Sequence, residues 1–116
     1  MEPAHLVGTG GAIGAILRYW VVLWFAHDRF PFATLVVNVV GSFVFGLVTF
    51  VGAGNDVILF LGIGLCGSFT TYSSFSVETV QLWEDGSRIR ATLYAVGTFV
   101  LCLVAVGFAG LASLVI

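Results

Sequence analysis

Residues 66–79 read CGSFTTYSSFSVET and contain seven Ser or Thr hydroxyls and one Tyr phenol. The chain on either side is apolar, and 59% of all residues are hydrophobic. Ser and Thr compete with the backbone for hydrogen bonds, and Gly67 lowers helix propensity, so a continuous helix is weakened here. The stretch therefore predicts an interrupted helix.

The composition places this stretch in a membrane protein. The chain has 116 residues, of which only 9% are charged, and a mean hydropathy of +1.12. A soluble domain carries about 25% charged residues. The net charge of −2 argues against a nucleic-acid partner. Cys66 and Cys102 have neither metal-ligand spacing nor the pattern of a disulfide framework, so each is expected to pack as a small apolar side chain.

Four segments are long and apolar enough to cross a bilayer. We expect them at about His5–Ala26, Phe32–Val51, Val57–Leu82 and Ala91–Ile116, with a charged loop over residues 83–90. The expected architecture is a single four-span, all-α domain over residues 1–116. The start MEPAH lacks the features of a signal peptide, so the first span is expected to be retained. The connections between the spans are too short to hold an active site of their own. Because the sequence also shows neither a nucleophile–base pair nor a metal cluster, we expect no enzymatic function.

The arginines indicate an orientation. Arg29, Arg88 and Arg90 lie in loops on one side of the membrane, and Arg18 lies toward that end of the first span. Because Arg is enriched in cytoplasmic loops, both termini are expected outside, in a multi-pass protein of the cell membrane. Small residues spaced by four would also permit close helix contact, and they favour an oligomer. These pairs are Gly10 and Gly14, Gly11 and Ala15, Ser42 and Gly46, and Ala109 and Ser113.

Polar groups within a span are candidates for function, because they are costly in hydrocarbon. Arg18 either reaches the interface or carries positive charge at the mouth of an anion path. The Asn38 amide either joins two helices or serves a pore. Glu78 is a carboxylate that suits a proton-coupled transporter or a pore vestibule. An interruption among these groups would free carbonyls for a cation, at a depth where irregular backbone must be buried or line a cavity.

Two further sets of side chains share helix faces. Tyr72 and Phe75 are three residues apart, and their ring edges are positive enough to stabilise a small anion, although aromatic pairs are more often simple packing. Tyr94, Thr98 and Cys102 recur every four residues, as a polar stripe or as packing.

Three blocks of this sequence resemble the Fluc, or CrcB, family of fluoride channels. They are GTGGAIGAILRYW (8–20), FPFATLVVNVVGSFVFG (30–46) and GLCGSFTTYSSFSVET (64–79). The third block is similar to the family's pattern of a Gly-rich lead followed by Phe-Thr-Thr-Phe-Ser-Thr-Phe. With four spans, the resemblance covers nearly the whole chain.

The resemblance implies an antiparallel dimer with a third helix broken at mid-membrane. It also implies two fluoride pores lined by both subunits, and a structural Na⁺ at the dimer centre. The carbonyls implied for Na⁺ are those of Gly67 and Thr70. The groups implied for fluoride are Asn38, Tyr72, Phe75, Tyr94, Thr98 and Cys102. Arg18 and Glu78 correspond to charged groups of the pore vestibules.

Three residues depart from the family pattern: Tyr72 stands where Phe is usual, Thr98 where Ser is expected, and Cys102 where a hydroxyl is usual. Together with the uneven Arg distribution, they leave open a homodimer or a heterodimer with a paralogous subunit. The leading expectation is passive export of fluoride that entered as neutral HF, which relieves fluoride toxicity. A four-helix drug/proton antiporter is the alternative, although the first span carries Arg18 and no carboxylate. A non-transporting membrane adaptor is a third possibility.

Overall fold

Helices account for all regular structure in residues 2–25 and 30–116, which the computed structural model describes. They are α1 (Pro3–Trp24), α2 (Phe32–Phe50), α3 (the contiguous segments Asn55–Val57, Ile58–Cys66 and Gly67–Phe69), α4 (Ser73–Glu84) and α5 (Arg88–Ser113). The expected end of the first span at Ala26, and His27 and Arg29 of the following loop, lie outside the described residues.

The prediction of an all-helical protein with four apolar spans is confirmed. Within residues 2–25 and 30–116, four helical stretches have the length and hydropathy to cross a membrane, and α3 and α4 together form the third, Asn55–Glu84. The expected loop over residues 83–90 was wrong at both ends, because α4 continues to Glu84 and α5 begins at Arg88. Arg88 and Arg90 lie in the first turn of this helix and are exposed. Charged residues can therefore belong to the helix here, because their side chains need not be buried.

Two glycines with positive φ end α2 and α4. Gly52 has φ 70° and Gly86 has φ 87°. The Gly86 N–H donates to the Trp83 carbonyl at 3.2 Å, and the Ser87 N–H donates to the Leu82 carbonyl at 3.0 Å. This pair of hydrogen bonds is a Schellman motif, which favours glycine at the left-handed position. It turns the chain within a few residues, so α5 starts directly after α4.

α3 changes helix type before it is interrupted. Ile58–Cys66 is π-helical, a form that is rare and usually short. The interruption that we expected within residues 66–79 begins at Thr70, the first extended residue, with φ −82° and ψ 160°, because Gly67–Phe69 continues as α-helix. The chain resumes helical geometry at Ser73. Thr70 therefore begins the interruption, because the N–H groups that would continue the helix are engaged elsewhere: Thr71 donates to Asn38, and Ser74 donates to the Thr71 hydroxyl.

Glycines bring α1 against α3 at backbone distance. A Cβ at Gly10 would collide with the Phe60 carbonyl, and a Cβ at Gly14 would collide with the Leu65 carbonyl and the Ser68 hydroxyl. Both glycines are buried. This pair therefore makes a contact within the chain, and it gives no support to an oligomer.

A second close contact joins α2 to α5. A Cβ at Gly46 would lie 3.1 Å from the Cβ of Ala109, which is fully buried. This contact is also within one chain, and it joins one member of each of two further pairs, Ser42 with Gly46 and Ala109 with Ser113, that we expected to favour an oligomer. Many large apolar side chains point outward, among them Trp24, Leu103 and Phe108. A surface of this kind suits contact with lipid or with a second subunit.

Candidate functional site

An open groove of about 560 Å³ lies where α2, α5 and the α3–α4 interruption meet. Its ten lining residues are all uncharged: Asn38, Ser42, Thr70, Thr71, Tyr72, Phe75, Ala95, Thr98, Phe99 and Cys102. Of the six residues expected to line a fluoride path, the groove gathers all but Tyr94. It therefore combines hydroxyl, amide, thiol and aromatic groups from three separate parts of the sequence.

Asn38 joins α2 to the interruption through two hydrogen bonds. Its Nδ2 donates to the Thr71 carbonyl at 3.0 Å, and its Oδ1 accepts from the Thr71 N–H at 2.8 Å. The amide thus replaces the hydrogen bonds that the Thr71 peptide groups would find in a continuous helix. One N–H of the Asn38 amide remains available for a ligand, because an amide nitrogen carries two donors.

The interruption takes the usual helical donors away from two carbonyls. In a continuous helix the Thr71 N–H would donate to the Gly67 carbonyl, but it donates to Asn38. The Ser74 N–H would likewise donate to the Thr70 carbonyl, but it donates to the Thr71 Oγ1 at 3.2 Å. Gly67 and Thr70 are the two residues expected to provide carbonyls for Na⁺. Hard cations prefer oxygen ligands, so this donor set fits such an ion.

Acidic or imidazole ligands do not provide an alternative metal centre in the part of the chain that the structure describes. No group of three or more His, Cys, Asp or Glu side chains converges there. A bound cation would therefore depend on backbone carbonyls and hydroxyls, which favour an alkali or alkaline-earth ion over a transition metal.

Aromatic rings form a row beside the groove. The Tyr72 and Phe75 ring centroids are 6.1 Å apart, and those of Phe75 and Tyr94 are 5.3 Å apart. Phe30 meets Tyr94 edge-on, with centroids 5.4 Å apart. Tyr72 is 81% exposed, whereas Tyr94 is 1% exposed behind the groove wall. The row thus runs from the exposed ring of Tyr72 at the surface of the chain to the buried ring of Tyr94 in its core.

Two buried hydroxyls in α5 have no hydrogen-bond partner among the described residues: those of Tyr94 and Thr98. Other threonine hydroxyls donate to the carbonyl four residues earlier in their own helices, as Thr79 does to Phe75 at 2.8 Å and Thr92 does to Arg88 at 2.9 Å. Thr98 does not adopt this arrangement. A buried polar group without a partner is costly, so these hydroxyls are suited to a ligand or to water.

A second pocket, of about 430 Å³, lies near the start of α2. Thr34 and Glu78 line it, and the Thr34 hydroxyl donates to Glu78 Oε1 at 2.6 Å. Gln81 and Asp85 also belong to its lining. Arg18 is half-buried on α1 and lines neither pocket. The two charged residues expected at pore vestibules therefore lie in different places within one chain.

Sequence reasoning did not single out Ser68 or Thr71 from the hydroxyl run. The Thr71 peptide pairs with Asn38, and the Ser68 hydroxyl donates to the Gly11 carbonyl of α1 at 2.6 Å. Both partners are distant in sequence. The density of hydroxyls indicated that residues 66–79 are important. The contacts that set Ser68 and Thr71 apart from the other hydroxyl residues form only when distant segments pack together.

The fold and the groove define a small helical protein with four membrane-spanning candidates, in which uncharged polar groups lie beside an interrupted helix. Residues 5–111 match the family model described as CrcB-like protein, Camphor Resistance (CrcB). The chain belongs to this family.

The chain aligns with curated relatives over most of its own length and most of theirs. The chain is 52% identical to the fluoride-specific ion channel FluC 2 of Haloarcula marismortui, with 94% of this chain and 92% of the relative covered. It is 46% identical to FluC 1 of Halobacterium salinarum, with the same coverage. It is 42% identical to FluC of Chlorobium chlorochromatii, with 85% and 84% covered. These relatives are named as ion channels, and the family is not enzymatic.

Proposed function

We propose that this chain is a subunit of a fluoride-selective channel in the cell membrane, through which cytoplasmic fluoride leaves passively. The groove is the observation that carries the proposal: Asn38, Thr98 and other uncharged polar groups converge there beside the aromatic rings of Tyr72 and Phe75. Relatives that are up to 52% identical are named fluoride-specific ion channels. A channel needs several weak sites along a path, and this lining suits that requirement.

The chemistry of fluoride explains why uncharged donors are useful. Fluoride is a small, strongly hydrated anion, so a path must replace its water with hydrogen-bond donors. The free N–H of Asn38, the hydroxyl of Thr98 and the edges of Phe75 and Tyr72 are such groups in the groove, and the buried hydroxyl of Tyr94 is one behind its wall. Neutral HF crosses the membrane and dissociates inside. The inside-negative potential then drives the anion out, without an energy-coupling domain.

The pore is completed by a second subunit in this proposal. The groove is open on the surface of one chain, and Tyr72 is 81% exposed although it is a large aromatic residue. An antiparallel partner would cover the groove and create two pores, each lined by both subunits. Residues 70–72 lie near the middle of the 30-residue span Asn55–Glu84, which supports an interruption at mid-membrane. Arg18 and Glu78 would then lie toward the vestibules.

The interruptions of two such subunits would meet at the dimer centre and hold a structural Na⁺. The Gly67 and Thr70 carbonyls, whose helical donors are engaged elsewhere, are the ligands we propose. When bound, the ion would neutralise the negative ends of these carbonyl dipoles. The partner is a second copy or a paralogous subunit, and the arginines at the start of α5 favour the latter, because a dual-topology protein should show little charge bias.

Fluoride efflux from proteoliposomes tests the proposal. Liposomes that contain the purified chain should release fluoride when a potassium gradient and valinomycin shunt the charge, and they should retain chloride. The same vesicles without protein are the control. Absence of fluoride efflux, both from the chain alone and from the chain co-purified with its paralogue, would refute the proposed function. Rapid efflux from the chain alone would refute an obligate heterodimer.

A further inference from the structure

Ser68 lies on the last helical turn before the interruption and points toward α1. Its hydroxyl donates to the Gly11 carbonyl at 2.6 Å and lies 3.3 Å from the Leu65 carbonyl of its own helix. Ser68 lines neither of the two grooves that include Thr70. Its hydroxyl therefore serves the contact between α1 and α3, and it does not face the groove.

The glycine seam between α1 and α3 makes room for this hydrogen bond. A Cβ at Gly14 would collide with the Ser68 hydroxyl, and Gly10 allows a similarly close approach at Phe60. Direct contact between the two backbones leaves little space for sliding or rotation. A hydrogen bond across this seam consequently fixes the side chain of Ser68 and the peptide units beside it.

The segment that follows needs such support, because its own helical bonds are few. The Thr70 N–H and Thr70 hydroxyl both donate to the Cys66 carbonyl, at 3.0 and 2.8 Å. The next backbone donors are engaged elsewhere, since the Thr71 N–H donates to Asn38 Oδ1 and the Ser74 N–H donates to the Thr71 hydroxyl. Without an anchor, peptide planes in such a segment would be free to tilt. Ser68 anchors it to α1, and Asn38 anchors it to α2.

We propose that Ser68 is a positioning residue, whose hydrogen bond to α1 holds the Gly67 and Thr70 carbonyls in the orientation that a cation requires. The inference rests on the sodium site of the proposed function. Loss of the Ser68 hydroxyl should weaken sodium binding although the residue contacts no ion. A typical hydrogen bond is worth about 1 kcal/mol, which corresponds to about a fivefold change in affinity.

Sodium-dependent thermal stability tests this role. The full chain, with its partner subunit if one is required, is purified in detergent, and NaCl is exchanged for N-methylglucamine chloride at constant ionic strength. The midpoint of the sodium-induced rise in melting temperature is compared for wild type, Ser68→Ala and Ser68→Cys. We expect Ser68→Ala to raise the midpoint about fivefold and Ser68→Cys to raise it less, because a thiol is a weaker donor.

Ser113→Ala is the matched control. The Ser113 hydroxyl also donates at 2.6 Å, to the Gly110 carbonyl, but within α5 and far along the chain from the interruption. Its sodium midpoint should stay within twofold of wild type. An unchanged midpoint in either Ser68 variant that folds, or the absence of any sodium effect in wild type, would overturn the inference.

The same preparation separates this inference from the proposed function. Wild-type protein is reconstituted in parallel, and fluoride efflux is measured. A sodium midpoint that shifts with Ser68 in a protein that passes no fluoride would support the positioning role and refute the channel. Efflux with no change of sodium midpoint in the Ser68 variants would support the channel and refute the positioning role.

Discussion

Asn38 and Thr71 are 33 positions apart and form a closed pair of hydrogen bonds. The amide nitrogen donates to the Thr71 carbonyl at 3.0 Å, and the amide oxygen accepts from the Thr71 N–H at 2.8 Å. One side chain thereby satisfies both polar groups of a residue in irregular backbone. This contact lets the interruption exist within an apolar span, where unpaired backbone groups are costly.

Replacement of Asn38 should therefore lower the free energy of unfolding. Asn38→Ala leaves both groups of Thr71 without their partner, and we expect a loss of about 1–3 kcal/mol in the free energy of unfolding, from two interhelical hydrogen bonds. Thermal unfolding followed by circular dichroism in detergent measures the change. Thr92→Ala is the control, because Thr92 is exposed and bonds only its own helix. Equal stability of the two variants would contradict the bridging role.

Thr98→Val should separate stability from transport. Valine has nearly the shape of threonine, and the hydroxyl it removes is buried without a partner among the described residues. We expect the melting temperature to stay the same or rise, because an unsatisfied buried group is lost. Fluoride efflux should fall about tenfold, as expected for loss of a transport-specific interaction worth about 1.4 kcal/mol. A stable variant with normal efflux would show that the hydroxyl does not serve the ion.

Glu78→Gln distinguishes a channel from a proton-coupled antiporter. Glutamine retains an oxygen that can accept the 2.6 Å hydrogen bond from Thr34, but it cannot release a proton. A channel should keep measurable fluoride efflux, whereas an antiporter that cycles a proton on Glu78 should lose transport entirely. Efflux into buffers with and without a pH gradient is the measurement. Complete loss in a correctly folded variant, with efflux of wild type that follows the pH gradient, would favour the antiporter.

Gly10→Ala should be strongly destabilising, because the new Cβ would collide with the Phe60 carbonyl. Backbone cannot move aside as a flexible side chain does, so we expect a loss of about 1–3 kcal/mol. Gly8→Ala is the matched control in the same helix, since nothing lies within 4 Å of a Cβ at that position. That variant should be neutral or slightly stabilised, because alanine favours helix. Similar melting temperatures for the two variants would argue against the α1–α3 seam.

Much of the architecture follows from the order of residues alone. Hydropathy locates four spans, and their bounds agree within a few residues with α1, α2, α5 and the combined α3–α4 span. Length and hydrophobicity are local properties, and the bilayer demands that each span satisfy its own backbone, so few folds remain possible. The hydroxyl run also marks the interruption, since Ser and Thr offer the backbone alternative hydrogen bonds.

Tertiary structure decides where the interruption begins and which groups it exposes. Gly67 weakens the helix, yet the helix continues to Phe69. The first N–H groups that leave the helical pattern are those of Thr71, which donates to Asn38, and Ser74, which donates to the Thr71 hydroxyl. Hydrogen bonds from Asn38 of α2, and to Gly11 of α1, determine this point. The small-residue pairs likewise could not reveal from spacing whether they pack within or between chains. The order of residues predicts a four-span helical protein with a weakened third helix. The distant bond between Asn38 and Thr71, together with the local bond from Ser74 to Thr71, decides which carbonyls are left for an ion, because each bond removes a helical donor.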